Sequence, residues 1–199
     1  MNDPILLLGI PTSALELISF VLAAITVILN IRQNHWAWGF AIASSAMYAV
    51  VFHRAQLFGD MGLQGVFIAV SIWGWYQWLH GGVAKTPLMV TRASATESAF
   101  GVAGWLAGFA ILAYFLDHYT PTDVPYIDGF LTAGSLVGQI LLSRKKVENW
   151  VVWIIVDILY VWLYLYKDLI LTAILYGVFI VLAAIGLYTW RRDSRAQAA

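Results

Sequence analysis

Residues 149–166 read NWVVWIIVDILYVWLYLY, a stretch in which the only charged side chain is Asp157. A helix of this length covers about 27 Å at ~1.5 Å per residue, close to the ~30 Å hydrocarbon core of a bilayer. In the 199-residue chain, 61% of residues are hydrophobic and 11% are charged, whereas soluble domains carry roughly 25% charged residues. The stretch therefore predicts a transmembrane helix, and the composition predicts a membrane protein.

Comparable apolar runs occur along the whole sequence and predict seven transmembrane helices. Their expected bounds are 14–31, 36–53, 60–79, 98–116, 128–143, 149–166 and 170–190. The N-terminal residues lack the basic region of a cleavable signal sequence, so the first helix is expected to stay in the protein. These features predict an all-α integral membrane fold in the lipid bilayer.

The basic residues are distributed unequally between the two ends of these helices. Nine of the eleven lie after helices one, three and five or in the C-terminal tail, namely Arg32, Lys85, Arg92, Arg144, Lys145, Lys146, Arg191, Arg192 and Arg195. Only Arg54 and Lys167 lie at the opposite ends. Cytoplasmic loops carry an excess of Lys and Arg, so we expect the N-terminus outside and the C-terminus in the cytoplasm.

An internal repeat relates the two halves of the chain. The segment Gly65–Ile68, GVFI, recurs 112 residues later as Gly177–Ile180. The same shift pairs Trp38 with Trp150, Tyr48 with Tyr160, Gly74 with Gly186 and Trp78 with Trp190. A shift of this length contains four helices, so the two copies should cross the membrane in the same direction.

The repeat predicts a three-plus-one-plus-three architecture with two parallel three-helix repeats, as in SWEET-type transporters. We expect residues 1–79 to form the first repeat and residues 80–120 to form a linker and the fourth helix. Residues 121–199 should form the second repeat and the cytoplasmic tail. Substrate sites in such proteins lie near the midplane between repeats, although a duplicated structural bundle without transport would show the same pattern.

A stripe of aromatic side chains surrounds one carboxylate on the sixth helix. Asp157 lies about 12 Å along this helix, and ionisable groups at such depth are functional candidates. At about 100° per residue, Trp150, Trp153, Tyr160 and Tyr164 share its face. Aromatic faces and a carboxylate attract cations, so these five residues predict a cation site. The alternative places Trp150 and Tyr164 in the interfacial belt and gives Asp157 a packing role.

Polar and aromatic residues on other helices extend this candidate site. Gln64 could donate a hydrogen bond to a substrate hydroxyl or carbonyl, or could bond another helix. Tyr48 and Tyr176 are further candidates for substrate contact. In the first repeat, Ala41 and Ser45 replace the second tryptophan and the carboxylate, so the site should be asymmetric.

Several kinds of function have no support in the residues. The chain contains no cysteine, and its four histidines lie at helix ends or in loops, so neither a metal site nor another cofactor is predicted. An intramembrane enzyme would need further catalytic groups beside the one deep carboxylate. A net charge of zero gives no basic surface for nucleic acid.

Residues 144–157, RKKVENWVVWIIVD, resemble the signature of the Pnu-type vitamin transporters, the PnuC family. The segments Leu63-Gln64 and Gly74-Trp75-Tyr76 look like the first repeat of that family. The resemblance implies a bacterial inner-membrane protein that carries an unphosphorylated vitamin by facilitated diffusion. In the best-known members the vitamin is nicotinamide riboside, which phosphorylation then traps inside the cell.

The sixth helix departs from the family pattern at one position. Nicotinamide riboside carriers typically read Trp-x-x-Trp-x-x-x-Asn, whereas this chain has Asp157 after Trp150 and Trp153, the variant associated with thiamine-type members. Nicotinamide riboside, the substrate of the best-known members, is the first expected substrate, and the departure at Asp157 makes thiamine the alternative. A sugar uniporter of similar architecture and a scaffold without a ligand are further alternatives, and assembly as a homo-oligomer is left open.

Overall fold

The computed structural model describes residues 5–7, 10–12, 14–54, 58–166 and 170–197. Within them lie seven α-helices: α1 (Ala14–Ile31), α2 (Trp36–Arg54), α3 (Phe58–His80), α4 (Ala95–Tyr119), α5 (Pro125–Ser143), α6 (Asn149–Tyr166) and α7 (Ile170–Ala196). The predicted bounds agree to within three residues, except that α7 continues six residues further. The seven predicted helices are thus present, and the prediction that each of them crosses the membrane stays a prediction.

A short antiparallel pair of strands precedes the helices and was not predicted. β1 (Ile5–Leu7) pairs with β2 (Ile10–Thr12), with Ile5 opposite Thr12. Strands of three residues are too short to produce a recognisable alternation of apolar and polar side chains. The helical class of the fold is otherwise as expected.

Three of the described helices contain segments that are long and apolar enough to cross a membrane, namely Ala95–Tyr119, Asn149–Tyr166 and Thr172–Ala196. In α1, the apolar segment Val21–Ile31 is shorter. Large apolar side chains of α4, among them Phe100, Ile111 and Tyr114, are exposed. Contiguous apolar surface of this kind is suited to lipid rather than to water.

The chain forms two compact units, Met1–Pro87 and Leu88–Ala199. In the first unit, α2 packs extensively on α3 and less extensively on α1. In the second unit, α4 packs on α5, α5 on α6 and α6 on α7. The expected division of the repeats at residues 79 and 120 stays a prediction.

The loops after α1 and α5 have the same backbone geometry. Asn34 N donates to Leu29 O at 2.9 Å, and Lys146 N, 112 residues later, donates to Leu141 O at 2.9 Å. One residue earlier in each loop, Gln33 and Lys145 adopt left-handed conformations with φ of 55° and 48°. The shift found in the sequence therefore corresponds to the same local turn in both units.

The helix pairs after these loops also pack alike. A Cβ added at Gly74 would lie 2.6 Å from the Trp38 ring, and one added at Gly186 would lie 2.6 Å from the Trp150 ring. Trp38 meets Trp78 edge-on with ring centroids 5.4 Å apart, and Trp150 meets Trp190 at 5.4 Å. Each glycine leaves room for an indole that joins one helix to the next.

Candidate functional site

Helix α6 carries most of the predicted site and lies between α5 and α7 in the second unit. It begins after the loop that follows α5, where Glu148 O accepts hydrogen bonds from Val151 N at 3.1 Å and Val152 N at 3.2 Å. Its Val156 and Leu163 join Leu131 of α5 in a buried apolar cluster. This packing fixes the rotation of α6 and hence the direction of its polar face.

Asp157 lies inside the second unit with 4% of its surface exposed. None of the ion pairs found among the described residues involves this carboxylate. Tyr160 lies about one turn further along α6, on the same side of the helix, and its ring contacts that of Tyr176 of α7. A buried carboxylate beside phenol rings can accept hydrogen bonds from a ligand or neutralise its positive charge.

Tyr160, Tyr164 and Tyr176 form a compact group, which we call the tyrosine cluster. The ring of Tyr160 stacks on that of Tyr164 with centroids 5.6 Å apart. Tyr176 of α7 lies 4.8 Å from Tyr160 and 5.1 Å from Tyr164, and Phe179 meets Tyr176 edge-on at 5.5 Å. The structure thus brings Tyr176, which the sequence selected separately, to the two tyrosines of the α6 stripe.

The two tryptophans of the predicted stripe face different neighbours. Trp153 is partly buried and packs over Gly138 of α5, where an added Cβ would lie 3.1 Å from the ring. Trp150 is 3% exposed, and its indole packs against Gly186 of α7. Its Nε1 has no hydrogen-bond partner in the described part of the chain. Trp150 has a packing role between α6 and α7, and substrate contact by either tryptophan stays a prediction.

Tyr48 and Gln64 belong to the first unit, on α2 and α3. Both side chains are partly buried. Their participation in one site with the residues of α6 stays a prediction.

The structure adds residues that the sequence analysis did not select. Ser135 of α5 is buried and lies beside the Tyr160 hydroxyl. Its position between Gly134 and Gly138, where α5 is approached closely by other helices, is the signal that could have identified it.

Among the residues that the structure describes, no group of three or more His, Cys, Asp or Glu side chains could hold a metal ion.

Comparison with known proteins covers nearly the whole chain. The family described as nicotinamide mononucleotide transporter matches residues 13–192. The riboflavin/roseoflavin transporter RibM of Streptomyces davaonensis is 28% identical over 187 residues, which cover 90% of this chain and 87% of that protein. The nicotinamide riboside transporter PnuC of Escherichia coli K12 is 20% identical, over 94% of this chain and 89% of its own.

A solved structure shows the same fold. The crystal structure of the vitamin B3 transporter PnuC matches with a TM-score of 0.72 and 22% sequence identity, over 92% of this chain and 82% of the other. The resemblance of residues 144–157 to the PnuC family is therefore confirmed along the chain. The protein belongs to the nicotinamide mononucleotide transporter family and is a PnuC-type vitamin transporter of the membrane, not an enzyme.

Proposed function

We propose that this transporter carries an unphosphorylated vitamin with a positively charged aromatic ring, with nicotinamide riboside as the first candidate. The observation that supports this choice is the buried carboxylate of Asp157 beside the tyrosine cluster. A charge within the membrane costs roughly 2.5–3.5 kcal/mol on insertion scales. A cationic substrate would offset that cost, and aromatic faces add about 2 kcal/mol where water is excluded.

The distribution of basic residues argues for an unphosphorylated substrate. Residues 149–166 and 170–190, which form most of α6 and α7, contain no Lys or Arg. A phosphate group beside Asp157 would meet a like charge without a compensating cation among these residues. Transport by facilitated diffusion followed by phosphorylation in the cytoplasm would then retain the product, because the phosphorylated form would not return.

The proposed transport mechanism uses two parallel three-helix repeats in a three-plus-one-plus-three order. The matching turns after α1 and α5 and the matching seats of Trp38 and Trp150 support it. With the N-terminus outside and the C-terminus in the cytoplasm, the two repeats would rock about a substrate held near the midplane. Tyr48 and Gln64 would then supply contacts from the first repeat.

Riboflavin is a second candidate, because RibM is similar over 90% of this chain. Its ring system is neutral, so Asp157 would act on it as a hydrogen-bond acceptor rather than as a counter-charge. Thiamine, the alternative favoured by the Asp157 variant of the sixth-helix motif, carries a fixed positive charge. Loss of the Asp157 carboxylate should therefore weaken transport of the cationic vitamins more than that of riboflavin.

The test is uptake of labelled nicotinamide riboside, thiamine or riboflavin into liposomes that contain the purified protein. We expect saturable uptake of nicotinamide riboside without an ion gradient, ending when the concentrations inside and outside are equal. Asp157→Ala, which removes the carboxylate without introducing the asparagine typical of nicotinamide riboside carriers, should weaken its apparent affinity about tenfold, equivalent to about 1.4 kcal/mol. Asp193→Ala, which changes a carboxylate near the end of α7, is the matched control.

Two results would contradict the proposal. Unchanged affinity for every cationic vitamin in Asp157→Ala would remove the role given to this carboxylate. Saturable uptake of riboflavin alone, unaffected by the substitution, would favour the second candidate.

A further inference from the structure

The linker before α4 is attached to the loop that leads into α6. This linker comprises residues 88–94. Within it, Thr91 donates its backbone N–H to Lys145 O at 3.1 Å, and Val147 N donates to Thr91 O at 3.0 Å. These bonds form a short parallel bridge. Val90 and Val147 are buried. The linker is thus a structured part of the second unit rather than a free connection.

Glu148 joins this linker to the first turn of α6. Its carboxylate oxygen Oε2 accepts a hydrogen bond from Ala93 N at 2.7 Å, and Oε1 lies 3.5 Å from Arg92 Nε. Its backbone carbonyl accepts hydrogen bonds from Val151 and Val152 in the first turn of α6. A single residue therefore contacts both the first turn of the helix and the linker, the latter through a charge-assisted hydrogen bond, which is stronger than a neutral one.

The first turn of α4 is tied to the same loop. Lys146 Nζ lies 2.9 Å from Glu97 Oε1 and 3.0 Å from Glu97 Oε2. Glu97 also forms a capping box with Ser94 at the start of α4. Further along, Gly129 of α5 lets the backbone of Ala113 approach closely. Contacts at the loop and along the helix thus attach α4 to α5 and to the start of α6.

We infer that Glu148 is a positioning residue for transport. Its carboxylate fastens the linker to the first turn of α6, so that α4 and α6 move as one body when the transporter changes conformation. The polar face that carries Asp157 then keeps its orientation through that movement. This inference rests on the proposed function, in which the substrate binds at Asp157, but not on which vitamin is carried.

The corresponding position of the first unit cannot make this attachment. The residue 112 positions before Glu148 is Trp36, whose indole is largely exposed and packs edge-on against Trp75 with ring centroids 5.6 Å apart. A tryptophan side chain has no acceptor for a backbone N–H. The attachment is therefore a property of the second unit that the internal repeat does not duplicate.

Glu148→Ala tests the inference by removing the carboxylate while leaving the backbone bridge intact. Asp193→Ala is the matched control, because both carboxylates have 27% of their side chains exposed and both lie near an exposed arginine. We expect hydrogen exchange of the Thr91 and Val147 amides to become about tenfold faster in Glu148→Ala. The maximal transport rate should fall several-fold, whereas the dissociation constant of the transported vitamin should not change.

A disulfide between the linker and the loop can replace the attachment that Glu148 makes, and it can be formed and broken at will. The chain has no cysteine, and Thr91 and Lys146 are bridge partners. Neighbouring strands lie about 4.8 Å apart, which suits the roughly 4.4–6.8 Å between the Cα atoms of a disulfide. Replacement of Lys146 also removes its ion pair with Glu97, so each cysteine variant is compared with its own reduced form. In Thr91→Cys/Lys146→Cys combined with Glu148→Ala, oxidation should raise transport above that of the reduced form, and reduction should abolish the gain. In the double cysteine variant alone, oxidation should leave transport unchanged.

Either of two outcomes would overturn the inference. Equal amide exchange and equal transport in Glu148→Ala and Asp193→Ala would show that the carboxylate positions nothing. Loss of transport on oxidation of the double cysteine variant alone would show that the linker must leave the loop during the cycle. If the unaltered protein carries none of the three vitamins, the proposed function fails, but amide exchange still decides whether Glu148 holds the linker.

Discussion

Replacement of Gly186 by alanine tests whether the packing of Trp150 against Gly186 holds α6 against α7. An added Cβ would lie 2.6–2.7 Å from three atoms of the Trp150 indole, well inside the ~3.5–4.0 Å of a favourable carbon contact. The ring has little room to move, because it is buried and meets Trp190 edge-on at 5.4 Å and 89°.

The expected effect combines two opposing terms. Overpacking in a close-packed interior costs about 1–3 kcal/mol. Alanine is favoured over glycine within a helix by up to about 1 kcal/mol. Gly186→Ala should therefore lower the free energy of unfolding by about 1–2 kcal/mol.

A matched control lies on the same helix. Gly177 has no described heavy atom within 4 Å of an added Cβ, so Gly177→Ala should keep or raise stability. Gly74→Ala and Gly65→Ala form the equivalent pair on α3, since Trp38 crowds only the first of these positions. Reversible unfolding in mixed detergent micelles with increasing dodecyl sulfate gives the four free energies. Equal stability of Gly186→Ala and Gly177→Ala would refute the packing argument.

Two further predictions concern groups of the second unit. Trp105 Nε1 donates to Phe130 O at 2.9 Å, so Trp105→Phe should lower the free energy of unfolding by about 1–2 kcal/mol in the same assay. Trp162→Phe, at a 57% exposed position, should leave it almost unchanged. Equal effects of the two substitutions would contradict the role of that hydrogen bond. Burial lowers the pKa of Lys145 from 10.5 to about 8. The unfolded chain therefore binds the proton more tightly, and stability should rise as pH increases from about 8 towards 10.5. Lys145→Met should abolish that rise, and an unchanged pH profile would show that Lys145 is not its source.

The positions of the helices were predictable because each is an apolar run of nearly constant length. Bilayer thickness fixes that length, so the apolar runs located α6 to the residue and the other helices closely, apart from the end of α7. The short pair β1 and β2 escaped notice, since it has neither the length nor the periodicity of a recognisable element. The packing of α4 on α5 was also not predicted, because it depends on contacts such as that of Gly129 with Ala113.

The candidate site shows the same division. Helical periodicity placed Asp157, Tyr160 and Tyr164 on one face, and the structure brings Tyr176 of α7 to the two tyrosines. Periodicity could not show that Trp150 turns towards Gly186, because a side chain on a helix face can meet either of two neighbours. The partner of a residue depends on which helix lies beside it, and that is a property of the packed unit.

The sequence by itself determined the membrane class, the seven helices and the 112-residue shift, because these depend on composition, length and order along the chain. Only the tertiary structure decided which aromatic rings pack between helices, which cluster beside Asp157, and that Glu148 joins the linker to α6. Such contacts join residues as far as 55 positions apart, as between Ala93 and Glu148. They arise when helices pack, and no local pattern records them.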